Sequence, residues 1–528
     1  GFSLCPINRA PGRNDANIVV GLISNTTQKY SEGMKRICLI SDPRRDLASL
    51  SEPECRRIIC ALNLAEKLSL PVEWFTVSSG AKIALHSGTE NLDWTARALK
   101  RIVEFTQSGR HINIVATGIN VGAQSYWNAE ATMHMHNKGI LIMLPEASLV
   151  LTGKKALDYS GGVSAEDNTG IGGAERIMGP NGQAQYVANN LSHACSLLLS
   201  YYDHSYITPG EQAPRRHDTS DSASRDICSH SHPKLDGCDF STVGDIFSEE
   251  KNPGRKKPFA IRAVMQAVSD SDYASLERWS QMAGADTSVV WDAHVGGYPV
   301  CLLGIESRPL PRYGIIPGDG PDSWSGGTLF PNSSKKIARA INSASGNRPI
   351  IVLANLSGFD GSPESMKLLQ LEYGSELGRA VVNCKSPIFV CVLTRFHGGA
   401  YVVFSQGLNP RLEIIALKGS YASVIGGTPA AAVVFQPEVK KRTLADPSLV
   451  ELAARMQQAS EATKPALMAE YEKMYKKLHQ EKQAALAAEF DGIHSVERAQ
   501  KVGSIRHIID PSDLRRFLIQ RLVETQAG

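Results

Sequence analysis

The feature that most constrains this chain is a strand–glycine–helix unit that occurs four times, in two evenly spaced pairs. In the first half the apolar run PVEWFTV passes into SSGAKIA, and HINIVAT passes into GINVGAQSYW. In the second half PIIVLAN passes into LSGFDGS, and PIFVCVL passes into TRFHGGAYVVF. Gly80 and Gly122 are 42 residues apart and Gly358 and Gly399 are 41 apart, so the halves are offset by 278 and 277 positions. That agreement predicts a duplicated α/β domain. A glycine between strand and helix permits a sharp turn and lets backbone approach a ligand closely. The helix start beyond it carries N–H groups with no intrahelical acceptor. Two such turns in one half can aim two N–H donors at a single oxygen that gains negative charge. Losing one donor of such a pair typically costs about 10²–10³ in rate.

The rest of the chain fits this frame. Its 528 residues call for two or three domains. We divide it into 1–208, a Pro/Ser/Asp/Arg-rich linker or surface excursion over 209–258, and 259–528 with a helical tail from about 447. Strands alternating with helices, such as RICLISDP then EPECRRIICALNLAEKL, predict parallel or mixed sheets. MKLLQLEYGSELGRAVVN reads as one helix, and MHMHNKG (133–139) as the continuation of the helix after Gly122. A net charge of +3 argues against general nucleic-acid binding. No apolar run reaches membrane-spanning length, and the scattered cysteines suit a reducing compartment.

Three further candidates read as structural. Cys228, His230, His232 and Cys238 lack the spacing of a zinc site and read as a solvated loop, so no metal is expected. TGIGGAERIMG does not directly follow a strand and is not a dinucleotide loop. Lys335 and Lys336 read as a solvated first helical turn, with contact to CoA phosphates as the alternative.

At this point the chain resembles the carboxyltransferase domains of biotin-dependent acyl-CoA carboxylases, the long single-chain type, within the crotonase superfamily. SSGAKIALHSGTENLDW resembles the family's SGAR loop, VGAQSYWNA its GGA segment, and DNTGIGGAERIMGPNGQAQY its LGG stretch. ANLSGFDGSPESM is similar to the NxxGFxxG loop, HGGAYVVFS to the second GGA segment, and AAEFDGIHSVERAQKVGSIRHIIDPSDLRRFL to the closing helix pair. Departures from the family pattern are Lys82 and Ser357, where many relatives carry Arg, and Val121, where Gly is usual.

The resemblance implies two tandem crotonase-like (ββα-superhelix) domains. It also implies transfer of a carboxyl group from carboxybiotin to the α-carbon of a short or medium acyl-CoA, acetyl- or propionyl-like, through two enolates held in oxyanion holes. By the same resemblance the first half takes acyl-CoA with Gly80, Ala81 and Lys82, and Val121 and Gly122 donate N–H groups to the thioester oxygen. The second half takes biotin with Gly358, Phe359, Gly398 and Tyr401, and Gly399 and Ala400 donate to the ureido oxygen. Related readings are a biotin-dependent decarboxylase subunit and a silent structural half of a larger carboxylase. No A-M-K-M biotinylation site or ATP-binding glycine loop stands out in the sequence. Biotin carboxylase and biotin carrier domains are therefore expected on another chain or an upstream segment. A homodimer or an oligomer of dimers is expected too, in the cytoplasm or the mitochondrial matrix.

Overall fold

A computed structural model describes residues 3–10, 12–163, 165–312, 316 and 322–526. It contains two large sheets of the same design. The first begins with an antiparallel hairpin, Ile18–Asn25 with Met34–Ser41. Strands Val72–Ser78, Ile112–Val121, Leu141–Met143 and Tyr186–Val187 then follow in parallel, and Ser148–Val150 pairs beside the far end of Ile112–Val121. The second sheet has the short edge strand Leu276–Arg278, which the first lacks, and then the hairpin Ser288–Val295 and Tyr298–Ile305. It continues in parallel through Ile350–Leu356, Ile388–His397, Leu412–Leu417 and His507–Ile509, with Tyr421–Ser423 beside the far end of Ile388–His397. The second hairpin turns on Gly296 and Gly297, both at positive φ (61° and 81°) as a two-residue turn of this kind requires.

The correspondence extends to an irregularity. Pairing slips between Thr76 and Ser78 in the first sheet and between Ala354 and Leu356 in the second, 278 residues on in each case. Such a slip re-aims the strand end that follows it. In both sheets that end carries a glycine turn.

Helices Glu52–Leu68 and Thr89–Gln107 cover the first sheet, and the core beneath them holds Trp74, Trp127 and Phe105. Pro331–Ala344 and Gln370–Asn383 play the same part for the second sheet. The single helix expected over 366–383 is broken: Pro363–Lys367 ends and Gln370–Asn383 begins around Leu369, which lies at φ 66°. The helix expected over 133–139 is likewise absent. Helix Ala123–Thr132 stops short, and His134 is buried with its ring nitrogen against Gly139 O. Gly139 itself passes so close to the Ile112 carbonyl that a Cβ would stand 1.9 Å away.

The stretch 209–258 has little regular structure, yet Ile227, Phe240, Val243 and Ile246 are buried in the core of the second half. The two halves meet through a buried polar cluster. Within the second half Arg278 clasps Asp292 through two hydrogen bonds of 2.6 and 2.7 Å and Arg348 joins the same carboxylate, while across to the first half Asp292 accepts from the Tyr186 hydroxyl (3.4 Å) and Asn347 donates to Ser205 O (2.9 Å). Burial alone would raise the pKa of Asp292, but the two guanidinium groups outweigh it and hold the carboxyl well below the usual range. The C-terminal part is helical, with Pro447–Gln457, the 30-residue helix Lys464–Ile493 and Leu514–Gln526. No helix among the described residues is long and apolar enough to cross a membrane.

Candidate functional site

In the first half, Ser78 ends its strand by donating its hydroxyl to Ala48 O (2.8 Å) and accepting the Gly80 N–H (3.0 Å). Gly80 then turns at φ 92°. Leu50 N–H donates to Gly80 O and Lys82 N–H donates to Leu50 O, both at 2.8 Å. Ala81 lies opposite Leu50 between these bonds, and its own N–H has no protein acceptor among the described residues. The segment that receives the loop is strained. Asp46, Leu47 and Ala48 all lie at positive φ (45°, 51° and 52°), a conformation costing roughly 1–2 kcal/mol per residue outside glycine. It is held by Ser79 N–H donating to Leu47 O (3.0 Å) and by the ion pair Lys82–Asp46 (3.1 Å).

The second turn of this half meets the first. A Cβ on Gly80 would stand 3.2 Å from Val121 O, so Gly80 and Val121 are in contact. Gly122 corrects the sequence reading. It turns at φ 55°, but its N–H donates to Val150 O at 2.9 Å as part of the ladder with Ser148–Val150. It is therefore not free for a substrate oxygen. Val121 lies within its strand, where the register Ser78↔Asn120 turns its N–H towards Ser78 O, so neither of the two N–H groups read as first-half donors is free.

The second half repeats the geometry. Ser357 N–H donates to Gly327 O (2.7 Å) and Asp360 N–H donates to Leu329 O (3.0 Å). Phe359 pairs with Leu329 as Ala81 pairs with Leu50, with Gly358 at φ 142° before it. Gly398 turns at φ 65°, and a Cβ on it would lie 3.6 Å from Ser357 O and 3.7 Å from Val424 O. A Cβ on Gly399 would stand 3.0 Å from the Phe359 ring. Gly358, Phe359, Gly398 and Gly399 are thus brought together on bare backbone. Ala400 is buried behind them, and Tyr401 stacks near Phe396 with its hydroxyl donating to Ser504 O (3.2 Å), engaged inside the fold.

The ladders also correct the register of the repeat. Ile112–Val121 and Ile388–His397 each end where Val121 pairs with Val150 and His397 with Ser423. Gly122 therefore corresponds to Gly398, not to Gly399, and Val121 corresponds to His397. His397 is nearly fully buried, and Ser423 N–H donates to its Nδ1 at 3.2 Å. Burial, reinforced by Arg395, pushes its pKa down to about 4, so the ring is neutral at neutral pH.

Sequence reasoning missed two things here. One is the unaccepted N–H at Ala81 and its counterpart at Phe359, which only strand pairing distinguishes from their neighbours. The other is a third repeated element. Ile171-Gly172-Gly173 and Ile425-Gly426-Gly427 each lead into a short π-helix, Ala174–Met178 and Ala430–Val434. A Cβ on Gly172 would lie 2.0 Å from Leu149 O and one on Gly427 2.2 Å from Ala487 O, so both positions need glycine. The repeated IGG triplet was the available signal.

Two bland readings also change. Lys336 is buried, not solvated, and burial, opposed by Glu277 and Asp286, brings its pKa to about 8. His232 is buried as well, and its Nε2 accepts the Ala260 N–H at 2.9 Å, which gives it a structural post in the loop first read as solvated.

Comparison with known proteins follows the same lines. The sequence profile of the family described as "Carboxyl transferase domain" matches residues 32–523. An acetyl-CoA carboxylase of Dictyostelium discoideum is 25% identical over 609 residues, covering 97% of this chain and 25% of its own length. A mitochondrial acetyl-CoA carboxylase of Saccharomyces cerevisiae is 23% identical over 529 residues, covering 84% of this chain and 22% of its own length. The chain thus spans about a quarter of the length of these relatives. Among solved structures, transcarboxylase 12S, a hexamer crystallised with methylmalonyl-coenzyme A and methylmalonic acid, superposes with a TM-score of 0.71 at 19% identity. That match covers 97% of this chain and 82% of the transcarboxylase chain, and it shows the fold.

Proposed function

The chain belongs to the carboxyl transferase domain family, and from that premise we propose that it is the carboxyltransferase of a biotin-dependent acyl-CoA carboxylase. It moves a carboxyl group between biotin on a carrier domain and the α-carbon of a short or medium acyl-CoA. The observation that carries this reading is the repeated site. Each half places one outward-facing backbone N–H, at Ala81 or Phe359, beside a second glycine turn. Carboxyl transfer between two carbonyl compounds needs two sites where an oxygen gains charge, and preorganised N–H donors supply that stabilisation without reorganising.

In this reading the halves are crotonase-like domains that arose by duplication, split as 1–208, 209–258 and 259–528. The shared strand order and the shared slip 278 residues apart support it. The first half holds the thioester: the Ala81 N–H faces its oxygen, and Gly80 keeps the two turns in contact. The second half takes the biotin ring against Gly358, Phe359, Gly398 and Gly399. Residues there fit a flat ring, because the backbone is bare and the Phe359 ring lies against Gly399. Biotin supplies the carboxyl group and the CoA thioester supplies the carbon that accepts it. Lys82, although tied to Asp46, is a partly exposed cation near the first-half turn. We assign Gly122, Ala400 and Tyr401 structural parts.

The partners in this reading are biotin carboxylase and biotin carrier domains, in the cytoplasm or the mitochondrial matrix. A second copy of the chain completes the site. Exposed apolar side chains at both turns support that: Ile83 is 96% exposed and Leu85 97% beside Lys82, and Val424 is 87% exposed beside Gly398. Patches of this kind on a folded surface mark contacts.

The test is carboxylation of acetyl-, propionyl- and butyryl-CoA by the assembly supplied with ATP and bicarbonate. Turnover of at least one thioester is expected. Inactivity on all three, with biotin carboxylation shown to proceed, contradicts the proposal.

A further inference from the structure

The two IGG loops are alike in sequence but are held by different parts of the molecule. In the first half the loop rests on its own neighbourhood. Gly172 is pressed on Leu149 O, Gly173 on Thr169 O, and Gly173 bridges to Ser148. In the second half the loop Ser423–Gly427 is held by the end of the long helix Lys464–Ile493. Asp491, 6% exposed, accepts the Gly427 N–H on Oδ1 at 2.8 Å, and its Oδ2 faces both terminal nitrogens of Arg395 at 3.3 Å. Arg395 is fixed in turn by donating to Gly254 O at 2.7 Å and by lying 4.9 Å from the centre of the Tyr421 ring. The residues after the helix add two clasps, Ala422 N–H to His494 O (3.2 Å) and Val496 N–H to Ser420 O (3.3 Å).

This loop borders the second-half turn. Val424 O is 3.7 Å from the Cβ direction of Gly398, and Ser423 N–H fixes the His397 ring immediately before that glycine. A carboxylate that accepts a backbone N–H and is itself paired with a guanidinium makes a stiff link, because both of its oxygens are committed.

Building on the carboxyltransferase reading, we propose that Asp491 is a positioning residue for the biotin-side half, setting the loop Ser423–Gly427 against the Gly398 turn from the C-terminal helix. Asp491 touches no reacting atom. Its effect falls on one half only, since the first-half loop makes none of these contacts with the helix.

The experiment compares the full chain with Asp491→Ala and Asp491→Asn, using free biotin as acceptor and the best carboxylated thioester as donor. Three quantities are read: kcat/KM for biotin, the Kd of the acyl-CoA by calorimetry, and the melting temperature. Displacing a positioned group by about 1 Å costs on the order of 10²-fold. We therefore expect Asp491→Ala to lose about that much in kcat/KM for biotin while its acyl-CoA Kd stays within about twofold of wild type. Asp491→Asn keeps an acceptor for Gly427 N–H and retains most of the activity. Equal loss in both variants, parallel loss of acyl-CoA binding, or no loss in Asp491→Ala overturns the proposal. A wild-type chain that binds acyl-CoA but transfers to no acceptor contradicts the carboxyltransferase reading itself, and this assignment falls with it.

Discussion

The first-half turn is strained and open, whereas the second-half turn is relaxed and braced. Around Gly80, three consecutive non-glycine residues lie in left-handed conformation, and the exposed pair Lys82–Asp46 stands at the rim. Around Gly358 the matching position before the bridge is Gly327, at φ 70° without strain, and buried His397 and Asp491 with half-buried Arg395 back the adjoining loop. The same arrangement is thus tuned in two directions. Strain outside glycine persists only where the surroundings over-determine it, and it clusters at sites with a task. The braced half instead fixes its backbone through buried polar bonds.

That contrast can be broken or sharpened by substitution. The largest effects belong to the turns. Ala81→Pro removes an N–H that no group among the described residues accepts, so the fold is expected to survive while reactions needing the thioester site fall about 10²–10³-fold. Gly399→Val drives a side chain into the Phe359 ring and is expected to reduce transfer to biotin by a similar factor, leaving acyl-CoA binding intact by calorimetry. Next in size is the joint between the halves. Asp292→Ala strands Arg278 and Arg348 in the core, and urea denaturation should report a loss of about 3–5 kcal/mol.

A pH effect follows from the braced half. His397 titrates at about 4 when folded, against an ordinary histidine value near 6.5, so the unfolded chain binds the extra proton first. Its stabilising contribution is complete above pH 6.5, declines as the pH falls, and is gone near pH 4. The loss is on the order of 3 kcal/mol, and His397→Gln should flatten that part of the stability–pH curve. The smallest effect belongs to the open half. Asp46→Asn breaks an exposed pair and should shift stability by about 0–1 kcal/mol.

Much of this was legible in the sequence, for physical reasons that differ by residue. Strand Ile388–His397 is buried on both faces and reads as a continuous apolar run, and Gly80 and Gly358 announce themselves because only glycine turns there without cost. The register between Gly122 and Gly398 was not legible. His397-Gly398-Gly399 offers two glycines, and only the ladder with Ser423 chooses between them. Ala81 was named only through the family resemblance, and nothing in the sequence marked its N–H as free, since that is a property of its neighbours' bonds. The link from Asp491 to Gly427 spans 64 residues, so no local pattern could reveal it. Lys336 was misjudged because a lysine in a first helical turn looks solvated until the packing is known.

In the proposed function the two halves stabilise charge on two different molecules. Decarboxylation of malonyl-CoA or methylmalonyl-CoA without biotin develops charge on the thioester oxygen alone, and its rate in Ala81→Pro and Gly399→Val tests the claim most directly. Ala81→Pro is expected to lose this activity about 10²–10³-fold while Gly399→Val retains it. Equal loss in the two variants, or loss confined to Gly399→Val, would contradict the proposed function.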